Sequence, residues 1–416
     1  MSATVPTLGL YFESQRVGWV YDTQPLSFAY DLAWLSARTL CVGAIPLQPG
    51  PSDAPCVTAF FENLLPEGEL RTYLFAAKQT STLFGLLQAV AGDTAGGFVL
   101  LAGDQLPQPP SYQATTWQAL AAELQSKTAA AIHLKGEGVR ISLAGAQDKL
   151  SIALFADGVP RLGLGTSPST HIVKPDMRRF EGIWASAINE TLVMHTAALC
   201  GLEAAPVFYE PTTRACVVAR FDRAVLADGN VVRRMQYDMC QLSALPSGKK
   251  YEAEGGPSLK DCAELVRRYS TVPALDLRRL VAWVFFNVFT GNNDSHAKNL
   301  SIYSPAPGVV RLTPFYDLMC TRIYPGLAQN FALNMGGTTL PGDMARPHWV
   351  AMAEQLNLRP AFVLSTGAGL AAQLPAALAT AVQAMAPLLS PNDAVMAERL
   401  VQWVGRATRQ TLKRME

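Results

Sequence analysis

At 416 residues, 49% of them apolar and 16% charged, the chain is too long for one small core and too apolar to be disordered. Its 34 basic and 33 acidic side chains leave a net charge of +1, without the basic excess that a strongly nucleic-acid-binding chain normally carries. Any DNA contact is therefore expected to be local or supplied by a partner.

The seven cysteines are scattered and form no C-x-x-C, a pattern of reduced thiols rather than of a disulfide framework or zinc site. Met1–Thr7 lacks the basic and apolar regions of a signal peptide, and no stretch reads as a membrane span. A cytoplasmic protein with no membrane partner is expected.

In chain order, Leu8–Phe12, Val17–Tyr21 and Leu26–Tyr30 read as short strands. Pro46–Pro55 is a loop, and Phe60–Lys78 and Thr82–Val90 have helical spacing before a strand at Phe98–Leu101. The Pro-rich stretch Asp104–Ser111 closes a first domain, residues 1–105. Strands are expected at Val139–Ala144, Leu150–Phe155, Thr170–Lys174 and Cys216–Phe221, around an amphipathic helix at Ile183–Cys200.

A second domain accordingly spans 112–240. From 241 to 416 the character is helical, with an all-round apolar helix at Leu277–Phe289 and further helices at Trp349–Leu356, Ala371–Met385 and Ala394–Met415. The expected fold is α+β and two-lobed, with a β-rich N-terminal part and an all-helical C-terminal lobe.

The most informative stretch is the loop Thr290-Gly-Asn-Asn-Asp-Ser-His-Ala-Lys-Asn299 after the buried helix. Asp294 precedes Asn299 by five positions, the spacing of a protein-kinase catalytic loop, whose Asp accepts the substrate proton and whose Asn holds a metal ion. Such a pair also caps helices and builds turns. Eighteen residues on from Asn299, a hairpin of Ser301–Tyr303 and Val309–Leu312 would bring Asp317 back beside the loop as a second metal carboxylate.

Lys174 ends an apolar strand, where kinases place a phosphate-binding ammonium, although a strand-end lysine also commonly reaches solvent. Glu190 on the following helix could pair with it, or be an ordinary helical glutamate. Ala144, Gly145 and Ala146 between two strands, with Lys149 nearby, would let backbone N–H groups approach phosphates, or form a plain turn. The histidines show no metal spacing, and no G-x-S-x-G elbow is present.

Together these pieces resemble the HipA family of bacterial toxin kinases. The matching strings are Ser142-Leu-Ala-Gly-Ala-Gln-Asp-Lys149, Thr170-His-Ile-Val-Lys174, Ala219-Arg-Phe-Asp-Arg223, Asp238-Met-Cys-Gln241, Lys250-Tyr-Glu252, Gly255-Gly-Pro257, Asp294-Ser-His-Ala-Lys-Asn299 and Leu312-Thr-Pro-Phe-Tyr-Asp317. Phe61-Glu-Asn-Leu-Leu-Pro-Glu67 with Arg71 resembles the family's N-terminal domain.

The resemblance implies an ATP- and Mg²⁺-dependent serine/threonine protein kinase. Asp294 would be the catalytic base, and Asn299 and Asp317 the metal ligands. Lys174 and the loop Ala144, Gly145, Ala146, Gln147, Asp148 and Lys149 would hold the phosphates. Arg220 and Phe221 would lie at the adenine hinge, with His296, Lys298 and Tyr316 lining the nucleotide pocket. Ser142 matches a serine that the family autophosphorylates to silence itself.

The partners implied are a small helix-turn-helix antitoxin, DNA mainly through that antitoxin, and an aminoacyl-tRNA synthetase, glutamyl-tRNA synthetase foremost, as target. Tyr237, Ala244 and Asn292-Asn293 depart from the family's usual letters. A catalytically silent subunit of a repressor complex and a kinase of lipids or small molecules are the alternatives.

Overall fold

The computed structural model describes residues 5–37, 41–126, 149–177 and 182–416. The fold is α+β, with sheets concentrated towards the N-terminus and helices towards the C-terminus. Two compact units interleave along the chain. The first takes Met1–Val173, Arg220–Lys249 and Tyr303–Pro307, and the second Lys174–Ala219, Lys250–Ile302 and Gly308–Glu416. The strand expected at Val139–Ala144 lies outside the described residues.

In the first unit an antiparallel sheet runs in the order Pro51–Ser52, Ser27–Tyr30, Gln15–Tyr21, Thr7–Phe12, Phe98–Ala102. The single helical stretch expected at Phe60–Lys78 is instead two helices, Pro55–Asn63 and Gly68–Ala77. Pro66 causes the break, since proline has no N–H to donate and pushes Leu65 out of the helical region. Arg71 bridges the gap, donating to the Pro66 carbonyl at 2.6 Å and to Glu62 Oε1 at 2.7 Å.

Phe60, Phe98 and Tyr237 form an aromatic cluster, with the Tyr237 ring 6.1 Å from each of the other two. Aromatic packing therefore accounts for Tyr237 at this position.

Also in the first unit, two arginines and two aspartates are buried together. Asp93, fully buried, accepts from Arg220 at 3.1 Å, Arg223 at 2.7 Å and the Ser169 hydroxyl at 2.6 Å. Asp222 accepts from Arg220 and Arg223 at 2.8 and 2.9 Å and from the Gly96 N–H at 3.0 Å. The Thr94 carbonyl takes one further bond from each guanidinium. The strand expected to reach Phe221 ends at Ala219 because Arg220 turns into this cluster.

Ala244 adopts φ +56°, the left-handed region that penalises any Cβ. Glycine there would relieve that strain. Ala244→Gly is expected to raise stability by up to about 1 kcal/mol, after the entropic cost of glycine is subtracted. The check is the thermal midpoint, which should rise by a few degrees.

The second unit is built around the helix Pro273–Thr290, in which Leu280, Trp283, Phe285, Phe286 and Phe289 are all buried. Three of its helices begin with proline at the first position, at Pro273, Pro360 and Pro391, where the missing N–H is not needed. Pro360–Met385 packs on Pro273–Thr290, on Ser186–Leu199 and on Pro391–Met415. At the first of these crossings Gly367 faces the Phe285 ring, and a Cβ there would come within 2.4 Å of it.

By length and composition alone, Pro360–Leu388 would pass as a membrane span, which corrects the expectation that no stretch would. The helix Ser186–Leu199 is buried on nearly every face rather than amphipathic, and Leu199 is exposed instead of continuing an apolar stripe.

Candidate active site

The helix Pro273–Thr290 ends at Gly291, which takes φ +71°. A Cβ at Gly291 would lie 2.3 Å from the Trp403 ring, so both the turn and the packing require glycine. From Gly291 to Asn299 every residue is buried except Asp294. A rigid helix thus delivers a buried loop that offers one carboxylate to solvent.

Bonds within the loop fix that carboxylate. The Asn299 side-chain amide donates to the Asp294 carbonyl at 3.1 Å, and the Asp294 N–H donates to Asn292 Oδ1 at 3.3 Å. The Tyr251 hydroxyl donates to Asp294 Oδ1 at 2.8 Å. With its N–H₂ directed at the Asp294 carbonyl, Asn299 keeps its amide oxygen as the atom suited to a cation.

Asn292 reaches in a second direction. Its Nδ2 donates to Asn287 Oδ1 at 2.9 Å and to the Asp317 carbonyl at 3.4 Å. Asp317 has φ +60°, a strained value for a residue with a side chain. Neighbouring elements impose that conformation. Asp276, buried beneath the strand Val309–Leu312, accepts from Arg311, from Arg279 at 3.0 Å and from the Leu312 N–H at 3.0 Å. Arg279 also donates to the carbonyls of Leu312 and Thr313. On the far side, Asn189 donates to the Cys320 carbonyl and accepts from the Cys320 N–H, at 2.9 and 2.8 Å.

Lys174 and Glu190 are both buried, with Nζ 2.5 Å from Oε1, and the same ammonium is ion-paired with Asp317. Burial by itself would lower the lysine's pKa. The charges of Asp317 and Glu190 outweigh that penalty, so the ammonium is held more firmly protonated than an ordinary lysine. The Asp317 side chain is 43% exposed, so a buried cation is presented at a carboxylate that solvent still reaches.

The residues singled out from the sequence therefore fall into three groups. Asp294, Asn299, Asp317, Lys174 and Glu190 form one connected set, linked through Asn292. His296 and Lys298 are buried in the same loop, and Tyr316 donates to the Lys298 carbonyl at 2.7 Å. Arg220 and Phe221 belong to the first unit. There the Arg220 guanidinium is fully engaged with Asp93 and Asp222, while the Phe221 ring lies edge-on to Tyr303. Lys149 also belongs to the first unit, and Ser142 and Ala144–Asp148 lie outside the described residues.

Tyr251, Asn292, Asn189 and the Asp276–Arg279–Arg311 group carry no role in the sequence reading. Asn292 gives a faint signal, as a polar residue directly after an apolar helix. The others act across sequence separations that no local pattern reports.

Comparison with known proteins follows the same outline. Residues 141–382 match the HipA-like C-terminal domain and residues 8–101 the HipA N-terminal domain. Y4mE of Sinorhizobium fredii, which carries a provisional kinase name, is 36% identical over 371 residues, covering 85% of this chain and 87% of that protein. The serine/threonine-protein kinase toxin HipA of Shewanella oneidensis is 28% identical over 427 residues, covering 98% and 96%. HipA from Shewanella oneidensis MR-1, solved with HipB and operator DNA, superposes with a TM-score of 0.85 at 24% identity, covering 98% of both chains.

Proposed function

Because the chain belongs to the HipA family of kinase toxins, we propose that it is an ATP-dependent serine/threonine protein kinase and the toxin of a toxin–antitoxin pair. One observation carries the reading. In a loop that is otherwise buried, Asp294 alone is exposed, and hydrogen bonds tie it to Asn299 and, through Asn292, to Asp317.

In the proposed reaction Asp294 takes the proton of an acceptor hydroxyl as that oxygen bonds to the γ-phosphorus and the bond to ADP breaks. Asn299 and Asp317 offer the hard oxygens that Mg²⁺ prefers, which supports their assignment as its ligands. When bound, the metal supplies charge neutralisation at the phosphates. Lys174, held by Glu190, contacts the phosphates and can exchange its pairing with Asp317 for one with phosphate oxygen. By the family resemblance, Lys149 and Ala144–Asp148 are assigned to phosphate binding, His296, Lys298 and Tyr316 to the nucleotide pocket, and Arg220 and Phe221 to the adenine hinge.

The reading extends to partners. The Shewanella oneidensis protein is solved with HipB and operator DNA, which supports a small helix-turn-helix antitoxin and DNA contact chiefly through it. A net charge of +1 agrees with DNA affinity that is mostly borrowed. The protein target is an aminoacyl-tRNA synthetase, glutamyl-tRNA synthetase foremost, in the cytoplasm. Phosphorylation at Ser142 switches the enzyme off, because added negative charge beside a loop meant for ATP phosphates repels them.

Intact-mass and phosphopeptide analysis after incubation with ATP and Mg²⁺ tests this. A gain of one phosphate, mapped to Ser142, is expected. If a protein shown to start unphosphorylated gains none and labels no protein in a bacterial lysate, the reading fails. Label found in a lipid or small-molecule fraction would reassign the acceptor.

A further inference from the structure

Lys250-Tyr-Glu252 belongs to the strings that carry the resemblance, yet phosphoryl transfer as derived gives it no part. Lys250 and Tyr251 reach the catalytic loop, and Glu252 reaches the chain that follows Asp317. The Lys250 carbonyl accepts the Ala297 N–H at 3.3 Å, inside the catalytic loop. The Tyr251 hydroxyl donates to Asp294 Oδ1 at 2.8 Å, and its ring stands edge-on to His296, with centroids 5.2 Å apart. The Glu252 N–H donates to the Ala332 carbonyl at 3.3 Å, while its Oε2 accepts the Asn334 N–H at 2.6 Å.

A phenol at the carboxylate of a catalytic base could act in two ways. It could occupy the place of the acceptor hydroxyl and have to leave before each turnover, or it could stay and orient the carboxylate. The backbone decides between them. Lys250 and Glu252 are hydrogen-bonded on either side of Tyr251, and the ring is held against His296, so the segment is built to keep the phenol in place.

A carboxylate on an exposed loop position rotates freely unless something fixes it, and a misdirected base loses rate steeply. A bond to Oδ1 leaves Oδ2 for the incoming hydroxyl and sets the plane in which it is offered.

We propose that Tyr251 is a positioning residue for phosphoryl transfer, fixing the Asp294 carboxylate through Oδ1 so that Oδ2 receives the acceptor proton. The inference rests on the kinase reading of the same site. It also gives the Lys250–Glu252 segment a purpose, as a brace joining the catalytic loop to the chain around Ala332–Asn334 that follows Asp317.

Steady-state kinetics of the full-length protein and Tyr251→Phe, with ATP, Mg²⁺ and a protein acceptor, tests it. The variant keeps the ring and removes only the hydroxyl. We expect kcat to fall about tenfold, with KM for ATP and the thermal midpoint unchanged. An active wild type whose kcat survives the substitution overturns the inference alone. A fall in kcat matched by loss of ATP affinity and of folded protein also overturns it, since the role is then structural. A wild type that transfers no phosphate to any acceptor overturns the kinase reading, and this inference with it.

Discussion

Replacing Asp294 with asparagine should lower phosphoryl transfer by about 10²–10⁴-fold while leaving ATP affinity and the thermal midpoint close to wild type. The expectation follows from where the side chain sits. It is the exposed member of a buried loop, so the substitution buries no new polar atom and strands no ion pair. The amide oxygen of asparagine can still accept from Tyr251, and the loop's backbone bonds to Asn292 and Asn299 do not involve the carboxylate.

Only the capacity to take a proton is lost. Rate measurements beside calorimetric titration of ATP separate the two quantities. Transfer retained within about threefold would remove Asp294 from the role of base. Loss of ATP binding together with rate would mean that the carboxylate holds the nucleotide or its metal instead.

How much of this was legible in the sequence depends on how far apart the cooperating residues lie. The helix Pro391–Met415, with its Ser390–Asp393 capping box, was readable to within a few residues, whereas Pro360–Met385 begins well before the expected Ala371. The spacing of Asp294 and Asn299 was readable because both act within one loop. Glu190 could be named as a partner for Lys174 or as an ordinary helical glutamate, and the sequence did not decide between them. Its burial against Lys174 depends on a helix packed on nearly all faces, and that is a tertiary fact.

The break at Pro66 was written in the sequence and passed over, because apolar periodicity on either side masked it. Interleaving of the two units was not legible at all. Nothing local to Arg220–Lys249 says that the chain returns there to the first unit.

The same distance effect hid the buried cluster that dominates the first unit. Asp93→Ala is expected to destabilise the protein by about 3–5 kcal/mol, because it leaves Arg220 and Arg223 buried with one carboxylate between them. For a unit of this size that corresponds to a fall in thermal midpoint on the order of 10 °C.

The cluster also sets an acid limit. Burial alone would raise the pKa of both carboxyls. The guanidinium charges of Arg220 and Arg223 outweigh burial, holding Asp222 at about 2 and Asp93 well below the ordinary carboxylate range. A carboxyl whose pKa is lower in the folded than in the unfolded chain stabilises fully above the unfolded value, about 4. That contribution is then lost as pH falls towards the folded value.

The wild-type midpoint should therefore show no contribution from this cluster to any slope between pH 5 and 8, and should drop between about pH 4 and 2. In Asp93→Ala the midpoint should start lower at pH 7 and fall less steeply over the same acid window. Parallel curves for the two proteins would show that the acid sensitivity arises elsewhere. A loss below about 1 kcal/mol at pH 7 would show that the two arginines find other partners when Asp93 is gone.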